Sequence, residues 1–433
     1  MTACAREIGY QTLCRIELRS THSDDAVSSH AVSSLEARDR NLVTEIVYGT
    51  LRWRGWLDHI LQSSVSRPWE SLDPRLAIVL RMSLYQISRM DRVPAHAAVN
   101  DAVEIAKKRL NRGPAGFVNG VLRSLLRKQP WSEPAFQRDC PMWARASLPR
   151  WLWERWEGRF GTDRALEYSI SLNRPPHTAV RGANRGLSRK DLPFDQSTLI
   201  PSELVPGAYL VQAGKHLTEE AKWHAMDEAS QLIPHLLGTI DGARIWDACA
   251  APGGKSAILH DNCGPSGLVV SSDVDPARVS LLRERLDSFC LRRADVLVAD
   301  ARRPFPFRMG FDAVLADVPC SGLGTIRRNP EIKWRVQPEH LREQSLRQRQ
   351  ILDCVAGAVR IGGMLLYSTC STEPEENELV VAGFLDSHPE FRLQRPAYPK
   401  GIEPWLDPIG AFRSFPDARL WDGFFAALML RTA

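Results

Sequence analysis

From residue 1 to about 130, apolar positions recur at three- and four-residue spacing. The segments DRNLVTEIVYGTLRWRGWLDHILQ and LAIVLRMSLYQISRM each carry an apolar stripe, and Pro and Gly fall between such segments. No period-two alternation interrupts them, so residues 1–130 are expected to form an all-helical domain. The Trp-rich stretch PMWARASLPRWLWERWEGRFG continues the helical spacing as a linker over 131–170. Tryptophans at helical spacing favour packing over base stacking. Residues 171–240 are mixed and loop-rich, broken at NRPP, and read as a small α/β extension.

After residue 240 the period changes. ARIWDACA, GLVVSSDVD, ADVLVAD, FDAVLADVPC and GMLLYSTCS are short apolar runs ending in polar or Cys residues, with helical patterns such as PARVSLLRERLDSFC between them. Alternating strands and helices over 241–433 imply an α/β domain with a parallel sheet covered on both faces, its ligands at the carboxyl ends of the strands. The tail ARLWDGFFAALMLR carries two further apolar runs that could close the sheet as a hairpin.

Composition narrows the class. At 433 residues there is room for two or three domains, and 44% hydrophobic with 25% charged residues is ordinary for a globular chain. No apolar run approaches the roughly 18 residues of a membrane span, and the opening MTACAREIGYQTLCRIELRS is unlike a secretory signal, so a cytoplasmic protein without membrane contact is expected. Nine cysteines without a C-x-x-C pair or zinc-like spacing argue against a disulfide framework and a metal site. Residues 1–130 hold 19 Lys and Arg against 13 Asp and Glu, a balance of +6 in a chain whose total is +5. An acidic partner is therefore expected at the first third.

The strand ends carry the chemistry. DACAAPGGKS, Asp247 to Ser256, ends like a phosphate-binding G-x-x-x-x-G-K-[ST] loop, but its first glycine would have to stand where Cys249 is. The same turn lacks the G-x-G-x-x-G of a dinucleotide site. A small-residue turn at a helix N-terminus, followed by Asp273, Asp300 and Asp317 at the next three strand ends, suits an adenosine ligand without phosphates, because carboxylates repel a triphosphate. S-adenosylmethionine fits that description and adds a sulfonium cation. Cys320 in DVPCSG and Cys370 in YSTCS each lie just past a predicted strand, at the ends of successive strands, so both are candidates for one pocket.

DACAAPGGK, DVPCSG, RRNPEIKW and YSTCS followed by EPEEN resemble the signature motifs of the RNA cytosine-C5 methyltransferases. LRMSLYQI, RVPAHAAVNDAVEIAK and FVNGVLR resemble the NusB-like RNA-binding domain at the N-terminus of the bacterial RsmB family, and the likeness spans nearly the whole chain. It implies a Rossmann-like methyltransferase domain after an RRM-like extension, with small-subunit rRNA as substrate, S-adenosylmethionine as cofactor, no metal, and a monomer. It places Cys249, Ala250, Ala251, Pro252, Gly253, Gly254 and Lys255 in the cofactor loop, with Asp273, Asp300 and Asp317 as further cofactor or base contacts. Cys370 becomes the nucleophile and Cys320 the residue that aids product release; the sequence alone does not order the two. Val318 stands where the family usually has Ala, and Met226 where Gln is usual.

The chemistry explains why such a family needs these groups. Carbon 5 of cytosine is a poor nucleophile, and a thiolate adding at carbon 6 turns the ring into an enamine with electron density at carbon 5. Asp317 can hydrogen-bond the ring edge during that addition. TIRRNPEIKWR, Thr325 to Arg335, joins four basic residues to a Trp beside Cys320 and is expected to contact RNA phosphates. Two rivals stand beside this assignment. A DNA cytosine-C5 methyltransferase would use Pro319-Cys320 as its nucleophile motif, and a non-catalytic RNA-binding factor would have lost one of the groups that this chain retains.

Overall fold

The computed structural model describes residues 4–110, 112–182, 198–212, 223–289, 291, 294–304, 310–415 and 421–433. The chain divides into two units. One comprises Met1–Pro175 together with Ile326–Arg335, and the other Pro176–Thr325 together with Val336–Ala433.

The first unit is helical among its described residues. Its principal helices are Ala5–Arg19, Ala37–Gln62, Pro74–Arg89, Ala95–Leu110 and Arg112–Lys128. The third of these begins where Asp73 accepts from the Arg75 amide and Pro74 fills the first turn, two ordinary start signals. The apolar stripes read from the sequence meet in one core containing Leu13, Ile16, Ile46, Leu51, Ile78, Leu84 and Leu122. Helices Ala37–Gln62 and Pro74–Arg89 cross at Gly49, where a Cβ would lie 2.0 Å from the Tyr85 ring, so only glycine permits that approach. Trp153 and Trp156 are buried, and Trp156 packs on Tyr168 with ring centroids 4.7 Å apart.

Residues 326–335 correct one expectation. Instead of facing RNA phosphates, no residue from Thr325 to Arg335 is exposed, and Arg327 and Lys333 are fully buried. Lys333 and Arg335 are used on carbonyl oxygens of the helical unit. Lys333 Nζ donates to Arg52 O at 2.8 Å and Asn173 Oδ1 at 3.0 Å, while Trp334 Nε1 donates to Leu51 O at 2.8 Å. Arg335 Nη2 reaches Ile16 O and Thr21 O, each at 2.6 Å, where the last carbonyls of helix Ala5–Arg19 lack helical partners.

The second unit holds two sheets. The smaller is antiparallel in the order β2-β3-β1-β4, from β1 (Ala179–Gly182), β2 (Leu199–Pro201), β3 (Ala208–Val211) and β4 (Trp223–Ala225). The larger contains β5 (Arg244–Asp247), β6 (Leu268–Asp273), β7 (Asp295–Val298), β8 (Phe311–Asp317), β9 (Val359–Thr369), β10 (Phe391–Leu393), β11 (Phe412–Arg413) and β12 (Phe425–Arg431). Its order is β10-β12-β9-β8-β5-β6-β7, with β11 paired to β12. Strands β5 to β9 are mutually parallel, as the five apolar runs predict, and the order reverses between β5 and β8. The tail enters as β12, antiparallel to both β9 and β10 and paired also with the two-residue β11. The start of the first tail run, residues 418–420, lies outside the described residues.

Register positions the chemistry. Asp247 pairs with Leu315 and Ser271, Asp273 with Val298, and Asp317 with Ser368, so the strands finish nearly level at one edge of the sheet. That edge, at the switch point of the strand order, is where open α/β sheets bind ligands.

Candidate active site

The turn after β5 is shaped by two glycines. Gly253 has φ +105°, and a Cβ there would stand 2.8 Å from Leu282; at Gly254 it would stand 2.9 Å from Met226 Sδ. Helix Gly254–Cys263 starts at this turn. Beneath it Ser256 Oγ donates to Asp247 Oδ2 at 2.7 Å. Burial pushes the Asp247 carboxyl up to about 7, the Ser256 hydrogen bond opposing and Asp317 adding to the shift. Lys255 does not extend as a phosphate-binding lysine would. Its Nζ lies 2.7 Å from Asp317 Oδ2, and although burial alone would lower its pKa, Asp317's charge and hydrogen bond hold it above the ordinary lysine value.

A cleft of about 210 Å³ runs along the strand ends, lined by Ala248, Cys249, Asp273, Asp300, Pro319 and Ile351 among others. Asp273 is buried, accepting from the Asp275 amide at 3.2 Å and lying 3.4 Å from Arg278 Nη1. Asp300 is gripped by Arg302 through Nε at 2.9 Å and Nη2 at 2.7 Å, which lowers its pKa to about 2. Burial and the surrounding carboxylates raise the pKa of Cys249, so it lines the cleft as a neutral thiol. The residues fit S-adenosylmethionine: glycines in the first turn with no room for a Cβ, and two carboxylates along one cleft.

The two strand-end cysteines meet. Cys320 Sγ and Cys370 Sγ are 3.2 Å apart, although 50 positions separate them. The hydrogen bond with Cys370, burial and the nearby Glu376 hold the Cys320 thiol well above its usual range. Asp317 lies at the end of β8 between the cofactor loop and these thiols, accepting from Ser368 Oγ at 2.7 Å as well as from Lys255. The loops carrying the cysteines touch through backbone. Gly324 N donates to Cys370 O at 2.9 Å and Gly423 N to Gly324 O at 2.8 Å, an approach that a Cβ on Gly324 would block.

The cleft thus gathers Cys249, Asp273 and Asp300, and the neighbouring strand ends gather Lys255, Asp317, Cys320 and Cys370. Ala250 and Ala251 are buried and pack with Leu282 and Val279, shaping the turn rather than presenting groups. Sequence reasoning missed Ser368, Gln348, Glu376 and the Gly324–Gly423 approach. The YSTCS and EPEEN strings contained the first and third of these, but nothing in them marked a contact with DVPCSG.

A parallel sheet with one antiparallel insertion, a glycine-tight first turn and acidic groups at successive strand ends define an S-adenosylmethionine-dependent methyltransferase. Residues 234–430 match the family described as 16S rRNA methyltransferase RsmB/F, and residues 3–127 match the NusB family. A probable ribosomal RNA small subunit methyltransferase B of Bacillus subtilis (strain 168) is 32% identical over 441 residues, covering 98% of each chain. The ribosomal RNA small subunit methyltransferase B of Thermus thermophilus is 34% identical over 392 residues, covering 88% of this chain and 89% of its own. The solved structure titled Crystal Structure of PH0851 superposes over the whole of both chains with a TM-score of 0.80 at 26% identity. The chain belongs to the RsmB/F family of 16S rRNA methyltransferases, and its NusB-type helical part precedes the catalytic part.

Proposed function

We propose that this rRNA methyltransferase acts in the cytoplasm on carbon 5 of a cytidine in small-subunit rRNA, through a covalent bond between Cys370 and carbon 6 of the base. The observation that carries the proposal is the 3.2 Å pairing of Cys320 and Cys370 beside the Lys255–Asp317 ion pair. Two thiols in contact can divide addition and release between them.

S-adenosylmethionine supplies an electrophilic methyl group on its sulfonium. Asp273 and Asp300 would hold and orient it, with the glycine turn against its backbone-facing side. The target base must leave any stack to reach both thiols, so a loop or opened strand is the fitting substrate. The two sulfurs are in hydrogen-bond contact, and either can donate to the other. The Cys370 sulfur, giving up its proton, adds to carbon 6, and the ring electrons move to carbon 5, which takes the methyl group as the methyl–sulfur bond breaks with its electron pair going to sulfur. Asp317, its oxygens already accepting from Lys255 and Ser368, retains lone pairs for the exocyclic amine of the base. Release needs a base to take the carbon 5 proton; the pair from that bond restores the carbon 5–carbon 6 double bond as the sulfur–carbon 6 bond breaks and its pair returns to Cys370. Cys320 is the group placed to assist that elimination.

The test separates the two thiols. With substrate RNA and S-adenosylmethionine, Cys320→Ala should accumulate a slow-migrating protein–RNA species on denaturing gels, and Cys370→Ala should form none. The opposite pattern would make Pro319-Cys320 the attacking motif, as in DNA enzymes; full turnover by both variants would remove the covalent mechanism.

A further inference from the structure

One buried carboxylate, to which neither the motifs nor the proposed chemistry gives a role, joins the two cysteine loops. Glu376 follows the β9 end in a short turn, Pro374–Glu376, and is fully buried. Its Oε1 accepts from the Ser321 amide at 2.7 Å and from Gln348 Nε2 at 3.2 Å. Its Oε2 accepts from the hydroxyls of both Ser321 and Ser371. Ser321 directly follows Cys320, and Ser371 directly follows Cys370. Gln348 Nε2 also donates to Pro319 O at 3.0 Å, so the residues on both sides of Cys320 are held. The neighbouring Asn377 does the same for Cys370, donating to Ser371 O at 3.0 Å and accepting from Thr369 Oγ1 at 2.6 Å.

Four donors converging on one group require an acceptor with four lone-pair sites, which among side chains means an ionised carboxylate. Burial pushes the Glu376 pKa up, and the hydrogen bonds from Ser321, Ser371 and Gln348 pull against it. Both oxygens are occupied by these donors, so Glu376 is not free to take a proton from a base. What it can do is hold two loops, distant in sequence, at one separation.

We propose that Glu376 is a positioning residue that fixes the spacing of Cys320 and Cys370 and thereby couples the addition and release steps; this rests on the two-thiol reaction above. Displacing a reacting group by about 1 Å can cost about a hundredfold in rate. Loosening the clamp should slow release most, because that step needs both sulfurs at the same base.

The spacing can be read without RNA or methyl transfer. With oxidised glutathione as oxidant, one cysteine displaces a glutathione thiolate to form a mixed disulfide. The other then displaces the second glutathione, leaving a Cys320–Cys370 disulfide and two glutathione thiols. Mass spectrometry follows the loss of two hydrogens. Glu376→Gln keeps the volume but turns one acceptor into a donor, and Glu376→Ala removes the clamp. Cross-linking should slow about tenfold in Glu376→Gln and further in Glu376→Ala. In the presence of substrate RNA and S-adenosylmethionine, Glu376→Gln should also retain a covalent RNA adduct despite having both cysteines, whereas simple destabilisation would reduce adduct and turnover together. If Glu376→Ala failed to fold, Glu376→Gln would carry the test. Wild-type cross-linking rates in a folded Glu376 variant would overturn the proposal. Absence of any adduct in Cys320→Ala would count against the covalent reaction alone, leaving the spacing measurement to decide on Glu376.

Discussion

Gly324→Ala should damage the active site through backbone alone. The added Cβ would lie 1.9 Å from Gly423 O, 2.7 Å from Gly423 C and 2.8 Å from Cys370 O. An ordinary carbon–oxygen contact is about 3.3 Å, so the methyl must retreat by about 1.4 Å from the first of these atoms. None of the three can swing aside as a side chain would. Gly423 has no slack either, since a Cβ there would meet Thr372 at 2.8 Å and Gly324 Cα at 2.9 Å. The shift must enter the segment after Cys320 or the one carrying Cys370, whose thiols are 3.2 Å apart. A displacement of about 1 Å at the reacting groups corresponds to roughly a hundredfold in rate, or about 2.7 kcal/mol of barrier. Overpacking of this kind typically costs 1–3 kcal/mol of stability, so the variant should still fold. Single-turnover methylation of an rRNA fragment with labelled S-adenosylmethionine measures the rate, and a denaturant midpoint measures the fold. Gly158→Ala is the control, because a Cβ there meets nothing within 4 Å and the glycine sits inside helix Arg150–Phe160. It should leave the rate unchanged and stabilise the helix slightly. Gly324→Ala at the wild-type rate would refute the claim that this backbone contact sets the cysteine geometry.

Two further outcomes follow from the side chains. Asp273→Ala should weaken S-adenosylmethionine binding by roughly ten- to a hundredfold, the value of a lost charged hydrogen bond of about 1.5–3 kcal/mol, and unchanged affinity by calorimetric titration would remove Asp273 from the site. Lys333 is held well below the usual lysine range by burial and by Arg52's charge, so the unfolded chain binds its proton more readily than the folded one. Stability then rises with pH from the depressed folded value up to the ordinary lysine value of 10.5, and Lys333→Met should lose that rise. Unfolding midpoints from pH 7 to 10 should diverge in favour of the wild type, and parallel curves would contradict the assignment.

The strand ends were legible because parallel strands buried on both faces must read as apolar runs, and a run ending in Asp or Cys places that residue at the ligand edge. β5 to β9 and their terminal groups therefore followed from pattern alone. The small-residue turn was legible for a related reason: Gly253 and Gly254 have no room for a Cβ. Other features depended on tertiary placement. The basic residues of 326–335 resemble a solvated RNA-binding loop, and their charges carry no mark that Lys333 and Arg335 meet helix carbonyls rather than phosphates. Glu376 stands in the acidic string EPEEN, which looks like a solvated surface until Ser321, 55 positions earlier, is brought against it. The pairing of Lys255 with Asp317 was equally hidden, since G-K-S spacing alone suits a lysine directed at a ligand.

The most direct test of the account is to map 5-methylcytidine in small-subunit rRNA from cells lacking this gene and from the same cells carrying wild-type or Cys370→Ala copies. One 5-methylcytidine should vanish without the gene, return with the wild-type copy, and stay absent with Cys370→Ala. An unchanged 5-methylcytidine map, or full restoration by Cys370→Ala, would contradict the assignment of this chain as a cytosine-C5 methyltransferase acting through Cys370.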